Sequence, residues 1–328
     1  MLLLGKYRFS FDTWKSTEVE DELLEESPDI EDADVETSRW EAIDGSPCDG
    51  ISILFVDGVR RTEHLVYIED EYGTLLRGAF VSIGAGALFM KHNAVNIAQD
   101  SFNSLTVKRY FVFEGSLEFD TKALSFSFPN GSLEFELKRA EGEMSSYVNK
   151  LMAELEAKVA EEAYRKCRPD LVITDGTVHY STRLKKLPFV GYVKKQKRLY
   201  IPSDRSSIIR ALRVGQRTPI VRLHSQPTME GEGVKNFDKF TWYVKISDAE
   251  GISGIARLEM WAEFVLDKVK TIADITAYII PRFASAEFSD RRAPHNLTPV
   301  KHLENVLRRR LGNQTLIRRI ISSELTGN

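Results

Sequence analysis

"ILFVDGVRR", residues 53–61, places a single carboxylate, Asp57, at the end of a continuous apolar run. An apolar run that ends in Asp-Gly is typical of a buried central strand followed by a turn. "DLVITDGTVHY", residues 170–180, repeats this pattern and ends its own apolar run in Asp175-Gly176. Each motif alone is most simply a turn, but two such strands lying side by side would bring the two aspartates close enough to share a cation.

A helix between the two motifs offers a third acid. Residues 141–167 are helical in pattern, and Arg168-Pro169 ends the helix. On a wheel of about 100° per residue, Glu156 falls inside the apolar stripe. A carboxylate that faces the core is costly unless it is paired or bound to a metal, so Glu156 is the candidate, with a salt bridge to a core-edge Arg or Lys as the alternative. The stripe consists of Met152, Leu155, Val159 and Ala163.

The order of the elements indicates an α/β fold. Residues 51–125 are typical of an antiparallel meander of strands, and the helix, a further strand and mixed α/β elements follow. We therefore expect a mixed central sheet flanked by helices, with additional α/β elements. We divide the chain into an acidic arm, residues 1–45, and one larger domain, residues 46–328. Within the arm, residues 18–37 are expected to form a solvated helix and loop, or alternatively a docking arm for a basic partner or a DNA mimic.

Charge and composition exclude several classes of protein. The 45 Lys and Arg against 48 Asp and Glu give a net charge of −3, which excludes a histone-like protein but leaves room for an enzyme with a local basic channel. Two cysteines make neither a disulfide framework nor a zinc site. The sequence has no signal-peptide or membrane-span pattern, so we expect a soluble, cytoplasmic protein. A P-loop ATPase and a serine hydrolase are disfavoured because their motifs are lacking.

The three acids point to phosphodiester chemistry. Strand Asp, helix Glu, strand Asp is the order in which RNase H-like nucleases collect their metal ligands. Two divalent ions about 4 Å apart clamp the scissile phosphate, activate water and stabilise the leaving oxygen, and a cluster of carboxylates offsets their charge.

Several segments in order resemble the NurA nucleases of archaea and bacteria, over about residues 50–325. The resemblance implies an RNase H-like core, a homodimer, and cleavage of DNA that depends on Mn²⁺ (or Mg²⁺). It also implies exonuclease activity, with single-strand endonuclease activity in addition, and a partnership with the HerA hexameric ATPase in processing DNA ends. A catalytically weak adaptor that binds DNA or the ATPase is the alternative. The segments are "ILFVDGVRR", "GAFVSIGAGAL", "DLVITDGTVHY", "FVGYVKKQ", "VGQRTPI", "FTWYVKIS", "ARLEMW" and "PRFASAEFSDRRAPHNLTPVKHLENVLRRRLGN".

The resemblance also assigns residues. Asp57, Glu156 and Asp175 match the metal-binding acids of the family. Asp290 and His295 are both candidates for a ligand near the C-terminus, where family members often use a histidine.

The first motif of the family is commonly Asp-Gly-Ser, whereas valine follows Gly58 here. An Asp-Gly-Ser does begin at Asp44, which is the alternative first ligand. Asp57 is preferred because the apolar run before it makes the better strand.

Basic residues are candidates for contacts with the DNA backbone. Lys194, in the Gly-Tyr-Val-Lys-like segment, is the expected phosphate contact near the metals, and Lys195 and Lys197 extend the same basic run. A solvated hairpin is the simpler alternative for this run. Arg60 and Arg61 follow the first motif and are further candidates. The sequence leaves open the strand polarity, the preference for single or double strands, and the need for the ATPase.

Overall fold

The protein is described by a computed structural model covering residues 3–4, 7–11, 29–70, 72–91, 104–129, 131–178, 185–194, 199–224, 228–230, 233–235, 238–249, 254–285 and 295–326. The strands in these ranges are β1 (Leu3–Leu4), β2 (Tyr7–Phe11), β3 (Asp29–Asp32), β4 (Ile43–Asp44), β5 (Ser52–Glu69), β6 (Leu75–Lys91), β7 (Thr106–Phe113), β8 (Ala123–Phe128), β9 (Gly131–Arg139), β10 (Leu171–Asp175), β11 (Phe189–Val193), β12 (Gln216–Arg217), β13 (Val221–His224), β14 (Thr228–Glu230), β15 (Gly233–Lys235), β16 (Lys239–Lys245) and β17 (Ile255–Trp261). The helices are α1 (Met144–Cys167), α2 (Ile208–Ala211), α3 (Leu266–Phe283), α4 (Thr298–Arg310) and α5 (Gln314–Thr326), and a short 3₁₀ turn covers Ser203–Arg205.

The centre of the sheet has the order β7-β6-β5-β10-β11. β5, β6 and β7 are antiparallel neighbours, whereas β10 runs parallel to β5 and β11 runs parallel to β10. Helix α1 lies in the chain between the antiparallel strands and β10. This order and these directions are those of an RNase H-like core, which confirms the expected fold. The sheet continues through β17, β16, β13 and β3 on one side and through β9 and β8 on the other.

The central strand β5 is covered on both faces. Ile53 and Phe55 belong to the core that contains α3 and α4, whereas Leu54 and Val56 belong to the core that contains α1. Because successive side chains of a strand point to opposite faces, Asp57 lies on the same face as Ile53 and Phe55. Gly58 lies on the same face as Leu54 and Val56. Burial on both faces explains why the run before Asp57 is continuously apolar rather than alternating.

The parallel pair β5–β10 is fixed in register where the two strands begin. Asp170 accepts hydrogen bonds from the Ser52 backbone N–H at 2.8 Å and from the Ser52 hydroxyl at 2.6 Å, and its own N–H donates to the Ser52 carbonyl at 3.0 Å. These hydrogen bonds lower the pKa of Asp170. The pairing then proceeds from Leu171 with Ile53 to Thr174 with Val56. We call this contact the Ser52–Asp170 latch.

The expected elements are largely confirmed. The predicted helix at residues 141–167 is Met144–Cys167, and Arg168 ends it in the left-handed region at φ 45°. The meander is confirmed for β5, β6 and β7. The sheet then continues through β9, which pairs with β7 in parallel, and β8, which pairs with β9. Both added strands pack an aromatic side chain on Phe80: Phe135 of β9 at 5.0 Å and Phe126 of β8, at the edge of the sheet, at 5.6 Å between ring centroids.

Part of the N-terminal arm joins the sheet. β2 pairs with β5, and β3 pairs with β13. Residues 29–32 therefore form a strand where we expected solvated structure, because Ile30 packs against the buried Tyr200, Val221 and Leu223. Residues 12–28 lie outside the described residues. Among the described helices, none is long and apolar enough to cross a membrane.

Candidate active site

Asp57 and Asp175 lie side by side on adjacent parallel strands. The register of β5 and β10 pairs Thr174 with Val56, so the next residues along each strand are the two aspartates. Asp57 is buried, and Asp175 is half-buried at the end of β10. The two Asp-Gly motifs therefore meet as the sequence predicted.

Glu156 reaches the same place from helix α1, on the other face of the sheet. The side chain is buried. A Cβ atom added at Gly58 would lie 2.2 Å from the Glu156 Oε1 atom. The absence of a side chain at Gly58 therefore lets the Glu156 carboxylate rest on the backbone of β5, one residue after Asp57. The core-facing position that the helical wheel gave to Glu156 is confirmed.

The charges around Asp57 act on its protonation. Burial raises the pKa of Asp57 well above its usual value, and the neighbouring Asp175 and Glu156 carboxylates raise it further. The Lys194 ammonium group opposes this effect, and a further carboxylate, Glu304, adds to it. Asp57 is therefore the centre of a group of acids that repel one another.

Glu304 is a member of this group that sequence reasoning missed. It lies on α4, which packs against β5 and β6, and forms a 2.6 Å ion pair with Arg308. The close approach of α4 depends on Gly86, which pairs with Asp57 across the strands. A Cβ atom at Gly86 would lie 2.9 Å from the Leu303 side chain. The signal in the sequence was the run of small residues "GAGA" in β6.

Lys194 also belongs to the site. Its Nζ atom donates to Asp175 Oδ2 at 2.7 Å and to Asn296 Oδ1 at 3.2 Å. The lysine that we selected as a phosphate contact thus sits beside the acids, and in this structure it neutralises part of their charge. Lys195 and Lys197, the other two members of the predicted basic run, lie outside the described residues.

His295, a candidate for the last ligand, and Asp44, the alternative first ligand, have contacts outside this group of acids. Asp290 is outside the described residues. His295 places its Nε2 atom 3.0 Å from the carbonyl oxygen of Ile255. Asp44 is exposed on β4 and accepts a 2.7 Å hydrogen bond from the Gln216 side chain.

The two predicted DNA-binding arginines continue along β5. Arg60 is half-buried. Arg61 pairs with the fully buried Glu63 at 2.8 Å and donates to the carbonyl of Gly312 at 3.0 Å, just beyond α4. Arg61 therefore has a structural role in holding the C-terminal end of α4.

The donor atoms suit a hard divalent cation, although they are not gathered tightly. Within the ranges that the structure describes, no three His, Cys, Asp or Glu side chains are grouped closely enough to hold a metal ion. Carboxylate oxygens are nevertheless the ligands that Mg²⁺ and Mn²⁺ prefer. The buried Tyr192 hydroxyl, whose pKa is raised by burial and by Asp175, has no hydrogen-bond partner among the described residues.

An RNase H-like core that collects acids on its first strand, its crossover helix and its fourth strand defines a nuclease-type protein. The chain belongs to the NurA family: the NurA domain model matches residues 42–308. The family resemblance and the nuclease class inferred from the motifs are thereby confirmed. No match to a curated protein was found.

Proposed function

We propose that the protein is a divalent-metal-dependent deoxyribonuclease, in which Asp57, Glu156 and Asp175 hold Mn²⁺ or Mg²⁺. The observation that supports this most strongly is the burial of Asp57 next to Asp175, with Glu156 seated on Gly58. Buried carboxylates that repel one another are costly in a protein interior unless cations offset their charge.

Each residue has a role in phosphodiester hydrolysis. Bound divalent ions supply activation of water and stabilisation of the leaving oxygen. Asp57, Glu156 and Asp175 would provide the anionic oxygens. Glu304 adds a fourth negative charge on the α4 side. Lys194, which contacts Asp175, would turn toward a phosphate oxygen of the DNA.

The wider biological role rests on family membership. We propose exonuclease activity, with single-strand endonuclease activity in addition, in DNA end resection and repair with a HerA-type hexameric ATPase. The active unit would be a homodimer. Arg60, Arg61, Lys195 and Lys197 remain proposed DNA contacts, and Asp290 and His295 remain proposed C-terminal ligands.

A catalytically weak adaptor is the second candidate function. It is favoured by the lack of a tight metal-binding group among the described residues. It is also favoured by the Lys194–Asp175 ion pair, which neutralises part of the site without any metal. Such a protein would keep the RNase H-like fold and bind DNA or the ATPase.

Cleavage assays and calorimetry on the purified protein separate the two functions. With Mn²⁺, the wild type should degrade DNA, and Asp57→Ala or Asp175→Ala should abolish the activity while circular dichroism shows an intact fold. Asp44→Ala is the matched control, since it removes the alternative aspartate, and should retain activity. Full activity in both site variants would refute the assignment. If calorimetry shows no Mn²⁺ binding that depends on these carboxylates, the result favours the adaptor instead.

A further inference from the structure

The chain turns sharply immediately after Asp175. Gly176 has a φ of +93°, a conformation that favours glycine, and its N–H donates to the carbonyl of Tyr192 at 2.9 Å. The following residues, 176–178, then lie against Gly191 of β11. A Cβ atom at Gly191 would be 2.8 Å from both the Gly176 carbonyl oxygen and the Val178 nitrogen. Two glycines thus permit the loop to fold back onto the sheet.

A buried acid fixes the end of this loop. The Val178 N–H donates to Glu259 Oε1 at 2.7 Å. Glu259 lies on β17, paired with Gly191, and only 1% of it is exposed. The loop after Asp175 therefore crosses β11 and is held by the strand beyond it.

Glu259 is itself held by two buried cations. The Lys239 ammonium group lies 2.8 Å from Glu259 Oε1, and the Arg257 guanidinium lies 3.2 Å from Oε2. Burial alone would raise the pKa of Glu259, but Lys239, Arg257 and the Val178 N–H outweigh it and lower the pKa. Glu259 is thus a carboxylate anion at neutral pH, with contacts on both oxygens.

We propose that Glu259 is a positioning residue for Asp175, acting through the Val178 amide and the loop at residues 176–178. Asp175 is the last residue of β10, so its backbone is held on one side by the strand and on the other by this loop. Groups that fix a ligand from the second layer commonly change metal affinity when they are removed. This inference rests on the proposed metal-dependent function.

The first test compares Glu259→Gln with Glu36→Gln. Glu36 is a matched control because it also binds a buried guanidinium, that of Arg217, and a backbone N–H, that of Ile220 at 2.7 Å. Glu36 contacts the region of β12 and β13, which β16 and β17 separate from β11 and the loop at residues 176–178. Hydrogen exchange measured by mass spectrometry should show faster exchange of residues 176–178 in Glu259→Gln, by about tenfold, and no change there in Glu36→Gln.

Mn²⁺ affinity is the second readout, measured by calorimetry on the full chain. The Kd for Mn²⁺ should rise about tenfold in Glu259→Gln and stay unchanged in Glu36→Gln. A loss of thermal stability in Glu259→Gln, with loop exchange and Mn²⁺ affinity as in the wild type, would show a merely structural role and overturn the proposal.

A second variant serves if Glu259→Gln does not fold. Gly191→Ala leaves the Glu259 ion pairs in place but pushes a methyl group into the backbone of the loop. It should also weaken Mn²⁺ binding about tenfold. Gly84→Ala is its control, since its added Cβ would meet only side chains, at 3.3 Å or more. Wild-type Mn²⁺ affinity in Gly191→Ala would overturn the proposal.

The failure of the metal-dependent function itself would look different. In that case the wild type would neither bind Mn²⁺ nor cleave DNA, and Asp175 would have no ligand role to be positioned for. The inference about Glu259 as a positioning residue would fall with it, whereas faster exchange of residues 176–178 in Glu259→Gln would still show that Glu259 anchors the loop.

Discussion

Asp57 lies in an environment that disfavours its ionised form. The folded chain buries it beside Asp175 and Glu156, and burial and these two groups raise its pKa. A group of this kind lowers the stability of the metal-free protein at neutral pH. Functional sites often carry such a cost, and a neutral substitution then stabilises the fold while it removes activity.

We expect Asp57→Asn to raise the free energy of unfolding of the metal-free protein at pH 7 by about 0.5–2 kcal/mol. Asparagine keeps the shape of the side chain and removes the buried charge. Urea denaturation in the presence of a chelator measures the difference. Asp44→Asn, on the exposed β4, should leave stability unchanged, and a destabilised Asp57→Asn would contradict the expectation.

The stabilisation by Asp57→Asn should decrease as the pH falls. Because the folded pKa of Asp57 is raised, the folded state binds this proton more readily than the unfolded chain does. The stability associated with Asp57 is therefore fully present below its ordinary pKa of 3.8 and is lost as pH rises through the folded value. The advantage of Asp57→Asn should shrink as pH falls from 7 toward 4. An advantage that grows on acidification would contradict this assignment.

Gly58 is the other residue whose side chain, or lack of one, controls the site. Gly58→Ala should displace the Glu156 carboxylate, since the new Cβ would meet Oε1 at 2.2 Å. Misplacement of a catalytic group by about 1 Å can reduce the rate about 100-fold, so we expect a loss of that order in Mn²⁺-dependent cleavage. Thermal stability should change little, because the displaced group is the flexible end of a side chain. Gly84→Ala controls for the change from glycine to alanine in a strand.

At the scale of elements, the sequence predicted those parts of the site that depend on the pattern of residues within one strand or helix. The repeated apolar-Asp-Gly motif indicated two buried strands, and helical periodicity placed Glu156 toward them. Glu304 was not predicted because its position depends on the packing of α4 over Gly86. The hydrophobic periodicity of a single segment gives no information on such packing. Glu259 was not predicted because Arg257 and Glu259 alternate with Leu258, a pattern typical of a half-exposed strand. In the structure, Arg257 and Glu259 are both buried.

Helix α5 lies beyond the residues matched by the family model, yet it completes a core. Its apolar side covers the far half of the β5–β6 hairpin, where it joins Val66, Ile68 and Phe80. The long hairpin therefore serves two regions, with the acids near one end and an aromatic cluster near the other.

Truncation of a single buried side chain in α5 tests how firmly that helix belongs to the fold. Ile321→Ala should lower the free energy of unfolding by about 2–5 kcal/mol, since Ile321 is fully buried. Leu316→Ala, on the same helix but 51% exposed, should change it by no more than about 0.5 kcal/mol. Equal effects from the two substitutions would show that α5 is not docked as described.

At the scale of the whole molecule, metal binding and folding should be linked. A ligand that binds only the folded state stabilises it, by about 2.7 kcal/mol at a concentration 100 times its Kd. Mn²⁺ should therefore raise the Tm of the wild type, while Asp57→Asn and Asp175→Asn should show no such rise. Differential scanning calorimetry with and without Mn²⁺ measures it. An equal rise in all three proteins would place the bound ion elsewhere.

The Ser52–Asp170 latch has a consequence for how the chain folds. It joins residues 118 positions apart in the sequence, and the same separation divides Asp57 from Asp175. The β5–β6 hairpin closes locally, whereas the pairing of β10 must overcome the entropy of a long loop. Asp57 is therefore synthesised 118 residues before Asp175, the residue that its strand partner brings beside it. We therefore expect Asp57 and Asp175 to come together only once β10 pairs with β5, so a chain that has formed the hairpin alone would lack the acidic group.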